Sequence, residues 1–151
     1  MMVEETFRVK APIQKVWQFM LDPEKIGLCI PGCDKIEIVD ENTYESAISI
    51  KLAIISIVVK SKTTITEMDP PRHLRSITEG TADIGGGTFR LDTVIDLKEI
   101  SQGEVDVSYS ADTQLGEGLI GFGEKIMSTM AKGMAEQFAK NIREKLEKER
   151  G

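Results

Sequence analysis

From Leu115 to Arg150 the sequence carries its one long helical run, and that run limits what the rest of the chain can build. Phe122, Ile126, Met130, Met134, Phe138, Ile142 and Leu146 recur every four residues, with the small residues Gly123, Ala131, Ala135 and Ala139 beside them. A strict four-residue row drifts by roughly 40° per step around a straight helix axis. The apolar seam therefore winds, so a flat surface would lose it, whereas a twisted, curved sheet could follow it. The expectation is a long helix gripped by a curved sheet. Phe122 to Met134 would roof a pocket, and the stretch beyond Phe138 would serve core contacts and a charged end.

Upstream the pattern changes to strands. Val3 to Lys10 alternates apolar with polar residues and reads as a half-buried strand ended by Ala11-Pro12. Ile13, Val16, Trp17 and Met20 then fall on one helical face, with Pro12 suited to a first turn. Asp22-Pro23 starts a second short helix that must finish before Pro31-Gly32. Six strands are predicted next, over 34–40, 43–53, 55–68, 72–83, 88–99 and 104–114. Turn signals such as Asp40-Glu41-Asn42, Asp69-Pro70-Pro71 and Gly85-Gly86-Gly87 separate them. Short links imply antiparallel hairpins, which the first strand can join at an edge.

The predicted sheet has two unlike faces. Ile48, Ile50, Ile57, Val59, Phe89, Leu91, Ile95 and Val107 share one parity, while Lys60, Lys62, Arg90, Asp92 and Asp106 hold the other, so one face meets the helix and one meets water. On the inward parity, however, stand Ser46, Ser61, Thr63, Ser76, Thr78 and Thr93. A buried hydroxyl without a partner costs about 1–3 kcal/mol. These residues point either to a cavity or to hydroxyls satisfied locally along the strands.

The 151 residues fit a single domain spanning 1–151, and no apolar run reaches the length of a membrane span. The start, MMVEETFRVK, lacks the basic and apolar blocks of a signal peptide, so export is not expected. A net charge of −6 and scarce aromatic residues argue against nucleic acid. Lys140, Arg143, Lys145, Lys148 and Arg150 crowd the end of the last helix. They suit a solvated end that complements the helix dipole, with a membrane-surface patch as the alternative.

One strand, two short helices, a six-strand meander and a long helix form the order of the START-like, helix-grip (SRPBCC) superfamily. Within it the chain resembles the CoxG family of carbon monoxide dehydrogenase proteins. The resembling segments are FRVKAPIQKVWQFMLDPEKI, CIPGCDKIEIV, TEMDPP, GGTFRLDTVIDL and VSYSADTQLGEGLIGFG. The resemblance implies an α+β fold, a curved seven-stranded antiparallel sheet wrapped around the long C-terminal helix. It also implies an accessory rather than catalytic protein, holding an apolar, quinone- or lipid-like ligand in the grip cavity and serving carbon monoxide dehydrogenase-like molybdenum hydroxylase subunits. The expected location is the cytoplasm, with peripheral contact at the inner face of the membrane left open. Longer members continue into a C-terminal anchoring segment, whereas this sequence stops at Gly151.

In this fold Trp17, Ile26, Ile30 and Pro31 would lie at the cavity mouth, with Phe89, Leu91, Tyr109, Leu119 and Phe122 deeper. Ile126, Met127, Met130 and Met134 complete the candidate ligand contacts, since methionine adapts to irregular shapes. Plain core is the other reading of that stripe. Gly116, Gly118, Gly121 and Gly123 permit close backbone approach or a gate. An alternative function is a cyclase- or dehydratase-type enzyme acting on an apolar substrate, for which Tyr109, Asp83 and Asp112 are the available groups; no acid/base pair emerges from their spacing. Cys29 and Cys33 cannot complete a tetrahedral zinc site and are expected as reduced thiols, with a disulfide or redox role as the alternative. No metal site is expected. His73, the sole histidine, falls on the outward parity as a surface residue.

Overall fold

The computed structural model describes residues 2–52, 55–83, 86–120 and 124–148. Strand β1 (Met2–Val9) leads into helices α1 (Ile13–Met20) and α2 (Pro23–Cys29). Six strands follow: β2 (Cys33–Asp40), β3 (Thr43–Leu52), β4 (Ile55–Asp69), β5 (His73–Ala82), β6 (Thr88–Ser101) and β7 (Glu104–Leu115). A four-residue helix α3 (Glu117–Ile120) precedes the long helix α4 (Glu124–Lys148). The strands form one antiparallel sheet in the order β1-β7-β6-β5-β4-β3-β2, curved and unclosed, with β1 and β2 as its edges.

Local chemistry explains the short elements. Asp22 caps α2, its Oδ1 accepting from the amides of Glu24 at 3.1 Å and Lys25 at 3.3 Å, and Pro23 occupies the first turn. Gly27 lets α2 lie directly on β2, because a Cβ there would meet the end of the Ile36 side chain. The helical run predicted from Leu115 starts later, at Glu117. Leu115 continues the inward parity of Tyr109, Ala111 and Thr113 and pairs with Phe89, so it belongs to β7. The Gly116 amide then donates to Thr88 O at 2.7 Å, and the chain turns into α3. A Cβ on Gly116 would collide with Thr88 Oγ1, so the close-approach reading holds at this glycine. Gly121, Phe122, Gly123 and Arg150 lie outside the described residues.

The winding row on α4 follows the sheet only part of the way. Ile142 and Leu146 are fully buried, whereas Ile126 is 50% exposed. Sixteen residues separate Ile126 from Ile142, a rotation of roughly 160° on a straight helix. Met127 lies only about 60° from Ile142 by the same count, and it is buried, as are Ala135 and Ala139. The buried face therefore shifts from the four-residue row to its neighbour toward the N-terminal end of α4.

The outward face of the sheet is laced by ion pairs between adjacent strands. Arg8 Nε meets Asp106 at 2.8 Å, and Arg75 grips Asp92 at 2.6 and 2.9 Å. His73 stands between Asp96, 2.7 Å from Nδ1, and Glu67, 3.3 Å from Nε2. It is a surface residue, as its parity implied.

Candidate functional site, a cavity between sheet and long helix

The buried residues form two clusters. The larger joins α1 and α2 to the C-terminal half of α4, with Val9, Trp17, Val105, Val107, Ile142 and Leu146 among its members. The smaller groups Ile57, Ala82 and Leu119 at the opposite end of the sheet. Between them lies a cavity of about 310 Å³, floored by β3 to β7 and roofed by Met127, Met130 and Met134 of α4. A close-packed interior leaves few voids larger than a water molecule. A hollow of this size is a feature of the fold, and it lies in the volume range of small-molecule sites.

The sheet floor is banded. Its inward parity carries Leu74 and Ile95 at one end and Ile48, Ile57 and Val59 at the other. Between these apolar ends lie the hydroxyl residues, and all six predicted to mark a cavity line it. Ser46 and Ser61 oppose one another across β3 and β4 with hydroxyls 2.8 Å apart, and Thr63 and Thr78 do the same across β4 and β5 at 2.8 Å. Tyr44 stands opposite Thr63 of β4, and Tyr109 lines the same hollow as Thr93. For the serine pair and the threonine pair both readings are met at once, since they border a hollow and satisfy one another. Burial pushes both phenols above the ordinary tyrosine value, and charge on Tyr44 would push Tyr109 higher still. Both rings line the one cavity although their strands are separated by three others.

Of the predicted contacts, Ile26, Ile30, Pro31, Phe89, Leu91 and Tyr109 line the cavity. So do Leu119, Met127, Met130 and Met134, while Phe122 lies outside the described residues. Two expectations are corrected. Trp17 is not at the mouth: at 5% exposure it sits in the large core cluster, because the apolar face of α1 turns onto the ends of β6 and β7. Ile126 faces away, displaced by the helical drift described above. Tyr44 was missed. Its parity with Ser46, Ile48 and Ile50 was the available signal. Gly80 was missed too; the Phe89 ring lies against it, where a Cβ would come within 2.6 Å of Phe89 Cζ.

The remaining candidates have structural roles. Asp83 is exposed and accepts from the Val58 amide at 2.8 Å. Asp112 is on the outward parity of β7, so of the three acid/base candidates only Tyr109 reaches the cavity. Cys29 and Cys33 are not joined in a disulfide, and burial raises the Cys33 thiol above its ordinary value. Among the described residues no group of three or more His, Cys, Asp or Glu could hold a metal ion. No helix among them is long and apolar enough to cross a membrane.

This architecture is that of START-like proteins. A START superfamily protein from Mycobacterium smegmatis superposes with a TM-score of 0.76 at 13% identity, over 97% of each chain. The Zhui aromatase/cyclase from Streptomyces sp. R1128 gives 0.75 at 15% identity, over 97% of this chain and 93% of that one. A conserved protein from Geobacillus kaustophilus is more similar, with a TM-score of 0.87 and 24% identity over 98% and 96% of the two chains. No curated protein matches the chain in sequence. The profile of the carbon monoxide dehydrogenase CoxG family matches residues 6–147, and the chain belongs to that family.

Proposed function

We propose that the protein is a non-enzymatic accessory protein that holds an apolar, quinone- or lipid-like molecule between sheet and α4 and assists a carbon monoxide dehydrogenase-like molybdenum hydroxylase. The observation that carries the ligand part is the 310 Å³ cavity roofed by three methionines. Filling it with water would set most of the lining, which is apolar, against a poor partner; an apolar ligand gains roughly 25 cal/mol for each Å² of apolar surface withdrawn from water. Family membership supports the partner part.

Solvent extraction of the purified protein followed by mass spectrometry is expected to recover a quinone or neutral lipid, and calorimetric titration with a short-chain benzoquinone is expected to saturate. An empty extract together with no heat of binding would end the ligand reading. Affinity capture from cells expressing molybdenum hydroxylase subunits is expected to retain those subunits; their absence would end the partner reading alone.

A further inference from the structure

Every cavity-lining side chain among the described residues is either apolar or bears a hydroxyl; none is Asp, Glu, Lys, Arg or His. The hydroxyl band occupies three successive cross-strand rows. Ser76 and Thr93 form the first, Tyr44, Thr63 and Thr78 the second, and Ser46 and Ser61 the third. A hydroxyl has one proton to donate and two lone pairs to accept with. When Ser46 bonds Ser61, one proton closes the bond and the other remains available. The same holds for Thr63 with Thr78. Each pair is satisfied internally and can still donate once to a guest.

That arrangement ranks guests by their polar end. A neutral oxygen acceptor takes up the donated protons. A bare hydrocarbon covers the hydroxyls without bonding them. An ionised carboxylate enters a site whose described lining offers no cation, and burying an unpaired charge is strongly unfavourable. We propose that the cavity selects uncharged, oxygen-bearing apolar molecules, with a keto, ester or hydroxyl oxygen seated on the hydroxyl band and the hydrocarbon portion running toward Ile48, Val59 and Leu119. This rests on the apolar-ligand reading above and narrows it by excluding ionised lipids.

Three probes of matched shape separate the cases: naphthalene, 2-acetylnaphthalene and 2-naphthoate, each titrated into the delipidated full chain at about pH 8, where an ordinary carboxyl is ionised. The ketone is expected to bind about tenfold or more tightly than the carboxylate, and several-fold more tightly than naphthalene. Replacing Thr63→Val and Thr78→Val together should lower the ketone's affinity by about threefold to tenfold and keep that of naphthalene the same or raise it. If the carboxylate equals the ketone, or naphthalene does, the selectivity is wrong while the apolar-ligand reading stands. If none of the three binds, the cavity is not a ligand site and both readings fall. The wild-type comparison is decisive even if the double variant does not fold.

Discussion

The rings of Tyr109 and Phe138 meet edge to face, centroids 5.8 Å apart and planes inclined at 62°. The contact fastens the sheet floor at β7 to α4 at the boundary between solid core and hollow. Aromatic pairs of this geometry contribute about 0.5–1.5 kcal/mol beyond their buried area. Phe138→Ala removes the pair and opens the cavity into the core, and is expected to cost about 3 kcal/mol in urea unfolding. A loss below about 0.5 kcal/mol would show that the contact holds nothing.

Two isoleucines of one sequence row should behave oppositely. Ile142 is 1% exposed and Ile126 is 50% exposed. Ile142→Ala is expected to lose about 2–5 kcal/mol, and Ile126→Ala to stay within about 0.5 kcal/mol of wild type, by chemical denaturation. Equal losses would contradict the rotation of the buried face along α4.

Filling the hollow should separate binding from stability. Met130→Trp places a bulkier side chain in the roof, where an unoccupied volume can accept it. The expected outcome is an unfolding midpoint close to wild type with loss of benzoquinone binding on calorimetric titration. Full-strength binding by a folded variant would move the ligand away from α4.

Gly116 and Gly103 form a steric pair. A Cβ at Gly116 would collide with Thr88, whereas at Gly103 it would meet nothing within 4 Å. Gly116→Ala is expected to lower stability by about 1–3 kcal/mol, with Gly103→Ala as the near-neutral control in thermal unfolding.

His73 confers a modest pH dependence. Its hydrogen bonds to Asp96 and then Glu67 raise its pKa above the ordinary 6.5, so the folded state binds the proton more tightly than the unfolded state. That stabilisation is complete below the unfolded value and is lost as pH rises through the higher folded one. The imidazole is exposed and solvent-screened, which keeps the contribution below about 1 kcal/mol. His73→Gln should therefore lower the urea midpoint at about pH 5.5 and leave it nearly unchanged at about pH 9. An equal effect at both ends would remove protonation as the cause.

The strand pattern was legible because parity is a local property. Leu91, Thr93 and Ile95 show their common face from spacing alone, and the polar interruption at Thr93 already marked the cavity floor. The predicted strand limits shift by no more than two residues; β6, for example, runs to Ser101 rather than 99. What failed depended on tertiary direction. Trp17 sits on an apolar helical face whether α1 closes one end of the core or borders an opening, and only its place against β6 and β7 decides. Ile126 keeps the four-residue spacing but not the surface it addresses. Asn141 gave no signal, yet its Nδ2 donates to Cys29 O at 2.9 Å and ties α4 to the end of α2.

The pairing of β1 with β7 sets Val9 opposite Val105, across almost the whole of the meander. During synthesis the first strand to emerge is thus among the last to find its neighbour. Until residues 104–115 are available, β1 is an unpaired edge, a ready template for wrong association. Until α4 arrives, the isoleucine and hydroxyl floor stands bare to water. Contacts of such long sequence separation slow folding. The hollow is therefore the last part of this fold to come into being, and a nascent chain cannot take up a guest until α4 has been made.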